Sequence, residues 1–101
     1  MAVARDPFDA LGDANRRAII SLLAHGDRSV RELAEGLPIS RPAVSRHLRL
    51  LKQAGLVIDR PEGTKRLYRL QDSGLAAVRD YLDQLWGEAA TRFSIAAENT
   101  E

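Results

Sequence analysis

Residues 29–55 read SVRELAEGLPISRPAVSRHLRLLKQAG and contain two helical patterns separated by a short turn. The first pattern opens with Ser29 and has Glu32 three residues later. This is the capping-box spacing, in which each side chain accepts a hydrogen bond from the other residue's backbone N–H. A second helix can begin after Ser40, a residue type that caps helices, and Gly55 can end it. The stretch therefore predicts a helix-turn-helix.

The second helix of this unit has an apolar side and a basic side. Val44, Leu48 and Leu51 are spaced by four and three residues, which places them on one face toward a core. The outer surface is left with Arg41, Ser45, Arg46, Arg49, Lys52 and Gln53. Arginine can bond O6 and N7 of guanine with two N–H groups, and serine can donate or accept at a base edge. This surface therefore suits the major groove of DNA.

A β-hairpin is predicted directly after the helix-turn-helix. Residues 56–60 and 65–70 have the composition of short strands, and turn-forming residues occupy positions 61–64. Such a hairpin would form a wing, over about residues 56–70, that follows the phosphate backbone of DNA. Its candidate contact residues are Arg60, Lys65 and Arg66.

Helices are also predicted at both ends of the chain. Asp6 followed by Pro7 has the pattern of a helix cap and a first helical residue, and an interruption at Gly12 is expected to separate this helix from a second one. Ser73 is expected to cap a long C-terminal helix over about residues 73–97. The predicted fold class is therefore mainly α with a β-hairpin wing.

The C-terminal helix carries an apolar seam. Its apolar residues alternate at spacings of three and four, the pattern of helices that pair along their length. These residues are Leu75, Val78, Leu82, Leu85 and Ala89, with Trp86 widening the face and Phe93 continuing it. We interpret the seam as a homodimer contact, and packing within the same chain is the alternative.

The charge of the chain is concentrated in its middle. Its 101 residues fit a single domain over residues 1–101, and the absence of cysteine excludes thiolate metal sites and cysteine catalysis. The formal net charge is only +1, but residues 41–69 carry eight Lys or Arg against two Asp or Glu. A basic stretch of this kind indicates an anionic polymer as partner, although taken alone it also fits a solvated charged surface.

Several other classes of protein are disfavoured by the sequence. No apolar run reaches the length of a signal peptide or a membrane span, so we expect a cytoplasmic protein without a membrane partner. Neither a nucleophile beside a His and acid pair nor a Gly-rich phosphate loop occurs. We therefore expect no enzymatic activity and no cofactor.

The run from residue 33 to residue 57, LAEGLPISRPAVSRHLRLLKQAGLV, resembles the DNA-reading unit of the ArsR family of bacterial winged helix-turn-helix repressors. Upstream, residues 8–19 resemble the first two helices of that family, and residues 60–70 resemble its wing. The resemblance implies a winged helix-turn-helix whose terminal helices form a dimer interface. Phe8 and Leu11 would belong to that interface.

The same resemblance implies which residues contact DNA. Major-groove contacts fall on Arg41, Ser45 and Arg46, phosphate contacts on Ser40, His47 and Arg49, and wing contacts on Lys65 and Arg66. The implied function is a homodimeric repressor that binds double-stranded DNA at an inverted-repeat operator. The alternative hypothesis is a winged-helix module whose basic face binds an acidic protein.

Many members of the family release DNA when a metal or a thiol-reactive compound binds, and this chain lacks the ligands of those sensors. The cysteine pair of the thiolate sensors would fall within residues 32–35, which read ELAE. The two histidines, His25 and His47, lie outside the last helix, where other members bind zinc-like ions. Asp80 and Asp83 on that helix are predicted to be solvent-exposed charges. We predict no metal site, and a small-molecule effector stays an open possibility.

Overall fold

In the computed structural model, which describes the backbone of residues 6–98 and the side chains of residues 6–92, two short helices precede the helix-turn-helix. Helix α1 spans Pro7–Ala10 and helix α2 spans Ala14–Leu23. The Asp6 side chain accepts a hydrogen bond from the backbone N–H of Phe8, at 2.9 Å. Asp13 caps α2 in the same way. The predicted start at Pro7 and the interruption at Gly12 are both confirmed.

The helix-turn-helix is formed by α3, Val30–Glu35, and α4, Arg41–Gln53. The Ser29 hydroxyl accepts from the Glu32 N–H at 3.2 Å, and the Glu32 carboxylate accepts from the Ser29 N–H at 3.0 Å. Ser40 caps α4 by accepting from the Ala43 N–H at 3.3 Å. These local signals were sufficient to predict the unit.

The wing consists of strands β1, Val57–Glu62, and β2, Lys65–Leu70, which pair antiparallel. The predicted turn over residues 61–64 is wrong by two residues, because Pro61 and Glu62 belong to β1. Strand β1 lies at the edge of its sheet, where a proline, which lacks an N–H, is tolerated. The loop is reduced to two residues and begins with Gly63, whose φ of 63° is one that glycine adopts without strain.

Helix α5 spans Asp72–Glu98 and begins differently from the sequence prediction. Ser73 lies inside the helix, and its hydroxyl donates to the carbonyl oxygen of Gly55 at 3.2 Å instead of capping α5. The Gly74 N–H donates to the same oxygen at 2.8 Å. A Cβ at Gly74 would lie 2.6 Å from the carbonyl oxygen of Ala54, so only glycine permits this approach of α5 to the end of α4.

One hydrophobic core joins these elements. Its buried residues come from α1, α2, α3, α4, β1 and the residues that link α4 to β1: Ala10, Ile19, Leu23, Leu33, Val44, Leu48, Leu51, Ala54, Leu56 and Val57. Helix α5 contributes only its first turns, because all residues of 79–92 are exposed. Within the described part of the chain, no helix is long and apolar enough to cross a membrane.

Candidate nucleic-acid interface

Helix α4, which we call the recognition helix, presents a basic face to solvent. Val44 and Leu51 are fully buried, and Leu48 is almost so, which fixes the rotation of the helix on the core. The opposite side is exposed and consists of Arg41, Ser45, Arg46, Arg49, Lys52 and Gln53. The two faces predicted from the sequence are therefore confirmed.

Three cations on this face, and a fourth at the tip of the wing, form no salt bridge within the described part of the chain. Among the residues that the structure describes, no salt bridge involves Arg41, Arg46, Arg49 or Lys65, and all four are exposed. An unpaired exposed guanidinium or ammonium keeps its donors for an external anion. Three of these cations lie on the recognition helix, and Lys65 lies at the tip of the wing.

The wing and the recognition helix border one groove. Tyr68 of β2 lines it together with Ser45, Arg49, Lys52 and Gln53 of the helix. A ligand seated on the exposed side of the recognition helix would therefore meet the wing as well. The fold brings together, on one side of the molecule, residues that are up to about 20 positions apart in the sequence.

Two other basic residues, Lys52 and Arg66, share the carboxylate of Asp59. Lys52 Nζ lies 2.7 Å from Asp59 Oδ1, and Arg66 Nε lies 2.5 Å from Asp59 Oδ2. The Asp59 side chain is only 7% exposed. The hydrogen bond from Lys52, followed by that from Arg66, holds the pKa of Asp59 below its ordinary value. The same interaction raises the pKa of Arg66.

Arg60, another predicted contact residue, also forms salt bridges with acidic side chains. Its Nη1 lies 2.5 Å from Asp27 Oδ2, and its Nη2 lies 3.6 Å from Glu62. The hydrogen bond that Arg60 donates to Asp27 is the main reason that the pKa of Arg60 is raised. Arg60 and Arg66 thus differ from Lys65, because contact with DNA requires them to leave or share an acidic partner.

His47 is half-buried and contacts Arg16 of α2, a residue outside the predicted DNA-binding set. Its Nδ1 lies 3.4 Å from Arg16 Nη1, and Arg16 Nε donates to the carbonyl oxygen of Ala10 at 2.6 Å. A guanidinium can only donate, so a hydrogen bond across this contact requires the imidazole tautomer that accepts at Nδ1 and carries its proton on Nε2. No sequence signal marks this pair, because the two residues are 31 positions apart.

Ser40 has a hydroxyl whose own proton is not used by the helix cap. Its oxygen accepts from the Ala43 N–H, and the hydroxyl can still donate to an anion at the start of the recognition helix. This leaves it compatible with the predicted phosphate contact.

A second surface is apolar and lies on α5. Tyr81, Leu82, Leu85 and Trp86 are exposed large hydrophobic residues, and Trp86 is 77% exposed. Phe8 of α1 is exposed as well and packs edge-to-face on Tyr81, with ring centroids 5.0 Å apart. Helices α1 and α5 therefore form one continuous apolar surface.

The other residues predicted for the dimer interface differ in how far they are buried in their own chain. Leu11 and Leu75 are partly buried against the core of their own chain. These two residues therefore fit the alternative hypothesis, in which the predicted interface residues pack within one chain. Val78 is half-buried and Ala89 is exposed. The side chain of Phe93 lies outside the described residues.

Comparison with known proteins places this fold and surface in a family. Residues 13–59 match the profile described as bacterial regulatory protein, arsR family. The chain is also 53% identical over 97 residues to the HTH-type transcriptional regulator Rv2034 of Mycobacterium tuberculosis, an alignment that covers 93% of this chain and 91% of that relative. This chain belongs to the ArsR family.

Solved structures agree with the family assignment. A possible transcriptional regulator for arsenical resistance superposes on this ArsR-family chain with a TM-score of 0.76 and 40% identity, over 95% of this chain and 98% of the other. The homodimeric winged helix-turn-helix DNA-binding domain of Mb0332 from Mycobacterium bovis gives a TM-score of 0.66 and 30% identity, over 85% of this chain and 80% of that one. The predicted winged helix-turn-helix fold is confirmed.

The metal-binding groups considered from the sequence stay apart in this ArsR-family structure. No group of three or more His, Cys, Asp or Glu side chains comes together among the described residues. Asp80 and Asp83 are exposed on α5, as expected. His25 is exposed just beyond the end of α2, and His47 lies on the recognition helix.

Proposed function

We propose that this ArsR-family protein is a homodimeric repressor that binds an inverted-repeat operator in double-stranded DNA. The observation that carries the proposal is the set of exposed arginines on the recognition helix, Arg41, Arg46 and Arg49, none of which forms a salt bridge among the described residues. In helix-turn-helix proteins the N-terminal part of this helix enters the major groove. Occupying a promoter in this way would keep transcription off in the cytoplasm, where the operator lies.

Base recognition is assigned to the first two turns of the recognition helix. Arg41, Ser45 and Arg46 are exposed there and can bond base edges. Backbone contacts are assigned to Ser40, to Arg49 and to His47, whose Nε2–H is available for a phosphate oxygen when Nδ1 accepts from Arg16. In the wing Lys65 is the primary contact, with Arg60 and Arg66 contributing only if they share their carboxylate partners.

Dimerisation is assigned to the apolar surface of α1 and α5. A patch with four large apolar side chains on one solvent-facing helix is typical of a protein interface. A two-fold axis through this surface would place two recognition helices in major-groove sites about 34 Å apart, one turn of DNA. The Mycobacterium bovis domain described as homodimeric supports this arrangement by its likeness.

The test is fluorescence anisotropy with DNA from upstream of the protein's own gene, against a scrambled duplex of equal length, at several salt concentrations. We expect preferential binding to the upstream duplex that saturates at two chains per duplex. A reporter gene behind the same DNA should be silenced by the protein. Equal, weak and salt-sensitive binding to both duplexes would contradict operator recognition and would favour the alternative of an acidic protein partner.

A further inference from the structure

Asp59 lies where the recognition helix, strand β1 and strand β2 meet. It belongs to β1, and its carboxylate is bonded on one side by Lys52 of the helix and on the other by Arg66 of β2. Its side chain is 7% exposed, whereas those of Lys52 and Arg66 are 45% and 55% exposed. One nearly buried anion therefore links the recognition helix to both strands of the wing.

The hairpin register explains why Asp59 points toward the recognition helix. Asp59 is directly opposite Tyr68 in the ladder, and Pro61 is opposite Arg66. Residues opposite each other, and those two positions further along a strand, share one face of a hairpin. That face carries Tyr68, which borders the groove beside the recognition helix. Arg60 lies on the other face and reaches Asp27 instead.

This arrangement is better suited to orientation than to stability. A buried ion pair contributes little net stability compared with apolar packing, because desolvation of the charges offsets their attraction. It does require a defined geometry, since the oxygen and nitrogen atoms must remain within hydrogen-bond distance. The wing is a two-stranded hairpin with little stability of its own, so its angle depends on contacts with other elements. Two backbone hydrogen bonds between Tyr68 and Arg28 hold β2 to the segment before α3, and the Asp59 pairs add the contact with the recognition helix.

We propose that Asp59 is a positioning residue for operator recognition, which fixes the angle between the wing and the recognition helix. With this angle fixed, Lys65 at the wing tip and the base-reading residues of the helix reach the same DNA together. The inference rests on the proposed DNA-binding function. It deepens that function by assigning part of the specificity to an acidic residue whose side chain is nearly buried and held by two cations.

If Asp59 only neutralises the charges of Lys52 and Arg66, its removal should strengthen operator binding and not weaken it. Its removal would then release Lys52 and Arg66 to bind phosphates, and DNA of any sequence would be bound more tightly and with a steeper salt dependence. Positioning predicts instead that binding to the operator weakens while binding to unrelated DNA does not. The two explanations therefore differ in the sign of the effect on the operator.

The experiment compares wild type with Asp59→Asn, a substitution of nearly equal shape, on the operator and on a scrambled duplex across a salt series. We expect the ratio of the two affinities to fall by about tenfold, the size of one lost base contact. Asp27→Asn is the matched control, because it removes an Asp–Arg pair that joins β1 to the segment between α2 and α3 and does not reach the recognition helix. Its affinity ratio should stay close to that of wild type.

Lys52→Gln provides a second variant in case Asp59→Asn does not fold. It removes the helix end of the link and leaves the Asp59–Arg66 pair. If Lys52 only bound a phosphate, its loss would lower the affinities for the operator and for the scrambled duplex alike. If it positions the wing, its loss lowers the ratio of the operator affinity to the scrambled-duplex affinity. Circular dichroism and thermal unfolding would establish that each variant is folded at the temperature of the binding assay.

The outcomes separate this inference from the proposed function. A specific wild type, together with an Asp59→Asn variant whose affinity ratio is unchanged or whose operator binding is tighter, overturns the positioning role alone. A wild type that binds both duplexes equally overturns operator recognition and the positioning role with it. A fall in the ratio for both Asp59→Asn and Lys52→Gln, with none for Asp27→Asn, supports the proposal.

Discussion

At the scale of single residues, similar basic side chains have different surroundings. Arg46 and Lys65 are exposed and form no salt bridge among the described residues, whereas Arg60 and Arg66 are each held by an aspartate. Charge counted along the sequence does not distinguish these groups, because the partners come from other elements. The distinction decides which side chains can contact DNA without first losing a salt bridge.

Arg46→Ala and Lys65→Ala should weaken DNA binding in different ways. Removing Arg46 should cost about 1–3 kcal/mol on the operator and relax the preference at one base position, since a bidentate contact to a base is lost. Removing Lys65 should weaken binding to all sequences alike and reduce the slope of log K against log salt by about 1. Anisotropy on operator variants and on a scrambled duplex measures both effects. Unchanged base preference in Arg46→Ala would show that this side chain does not read a base.

The ion pairs of Asp59 also predict how stability changes with pH. Its pKa is lower in the folded protein than in the unfolded chain, so its charge stabilises the fold above the unfolded pKa of about 3.9. This contribution is lost as the pH falls through the folded pKa. Because the two partners are about half exposed, we expect wild type to exceed Asp59→Asn by only about 1 kcal/mol at pH 7.

Urea unfolding of both proteins at pH 7, 5 and 3 measures this difference. The gap in the free energy of unfolding should persist at pH 5 and narrow at pH 3, because below about pH 3.9 the unfolded chain binds a proton at this carboxylate more readily than the folded protein does. A gap of the same size at all three pH values would mean that Asp59 acts through shape and not through its charge.

At the scale of elements, the junction between α4 and α5 is built from backbone contacts. Gly55 has a φ of 73° and accepts at its carbonyl oxygen from both Ser73 and Gly74. The Gln71 N–H donates to the carbonyl oxygen of Leu56 at 2.9 Å. The end of the recognition helix is therefore fastened to the start of the helix that carries the apolar surface.

Gly74→Ala should disrupt this junction. The new Cβ would lie within 2.8 Å of three backbone atoms of Ala54 and Gly55, and backbone cannot rotate away as a side chain can. We expect a loss of about 1–3 kcal/mol in the free energy of unfolding, the usual cost of overpacking. Gly87→Ala on the same helix is the control. A Cβ there meets nothing within 4 Å, so alanine should stabilise the helix by up to about 1 kcal/mol. Equal effects of the two substitutions in chemical denaturation would contradict the steric explanation.

The elements differ in how well the sequence predicts them. Helices α3 and α4 were predictable because their caps, Ser29 with Glu32 and Ser40, act within three residues. The start of α5 was not, because Ser73 is a good cap by residue type but is engaged by Gly55, 18 positions away. The extent of β1 was misjudged because Pro61 disfavours a strand only where its missing N–H is needed.

The candidate site was also predictable only where it depends on residues close together in the sequence. The exposed face of the recognition helix follows from helical periodicity alone, as Val44, Leu48 and Leu51 define the opposite side. The roles of Asp59 and Arg16 depend on contacts between distant elements. A single sequence carries no signal for such pairs before the fold is known.

At the scale of the whole molecule, the apolar surface on α5 has no cover within the described part of the chain. Leu85 is 48% exposed and lies beyond the turns of α5 that pack on the core. Leu85→Glu should therefore leave the folded chain intact and separate the two copies. The loss of one linked half-site should weaken operator binding by roughly 100-fold or more.

Sedimentation equilibrium and anisotropy test this expectation together. Gln84→Glu adds the same charge at the neighbouring position, which is outside the apolar seam, and should leave both the dimer and operator binding unchanged. A Leu85→Glu protein that remains dimeric would show that the copies associate through another surface.

The exposed position of Trp86 gives the molecule an optical property. It is the chain's one tryptophan, so all indole fluorescence comes from the apolar surface on α5. Water quenches and red-shifts indole emission, and burial against a second chain shifts it to shorter wavelength. The spectrum of a diluted, unlabelled sample therefore reports the state of this surface without interference from the DNA-facing side.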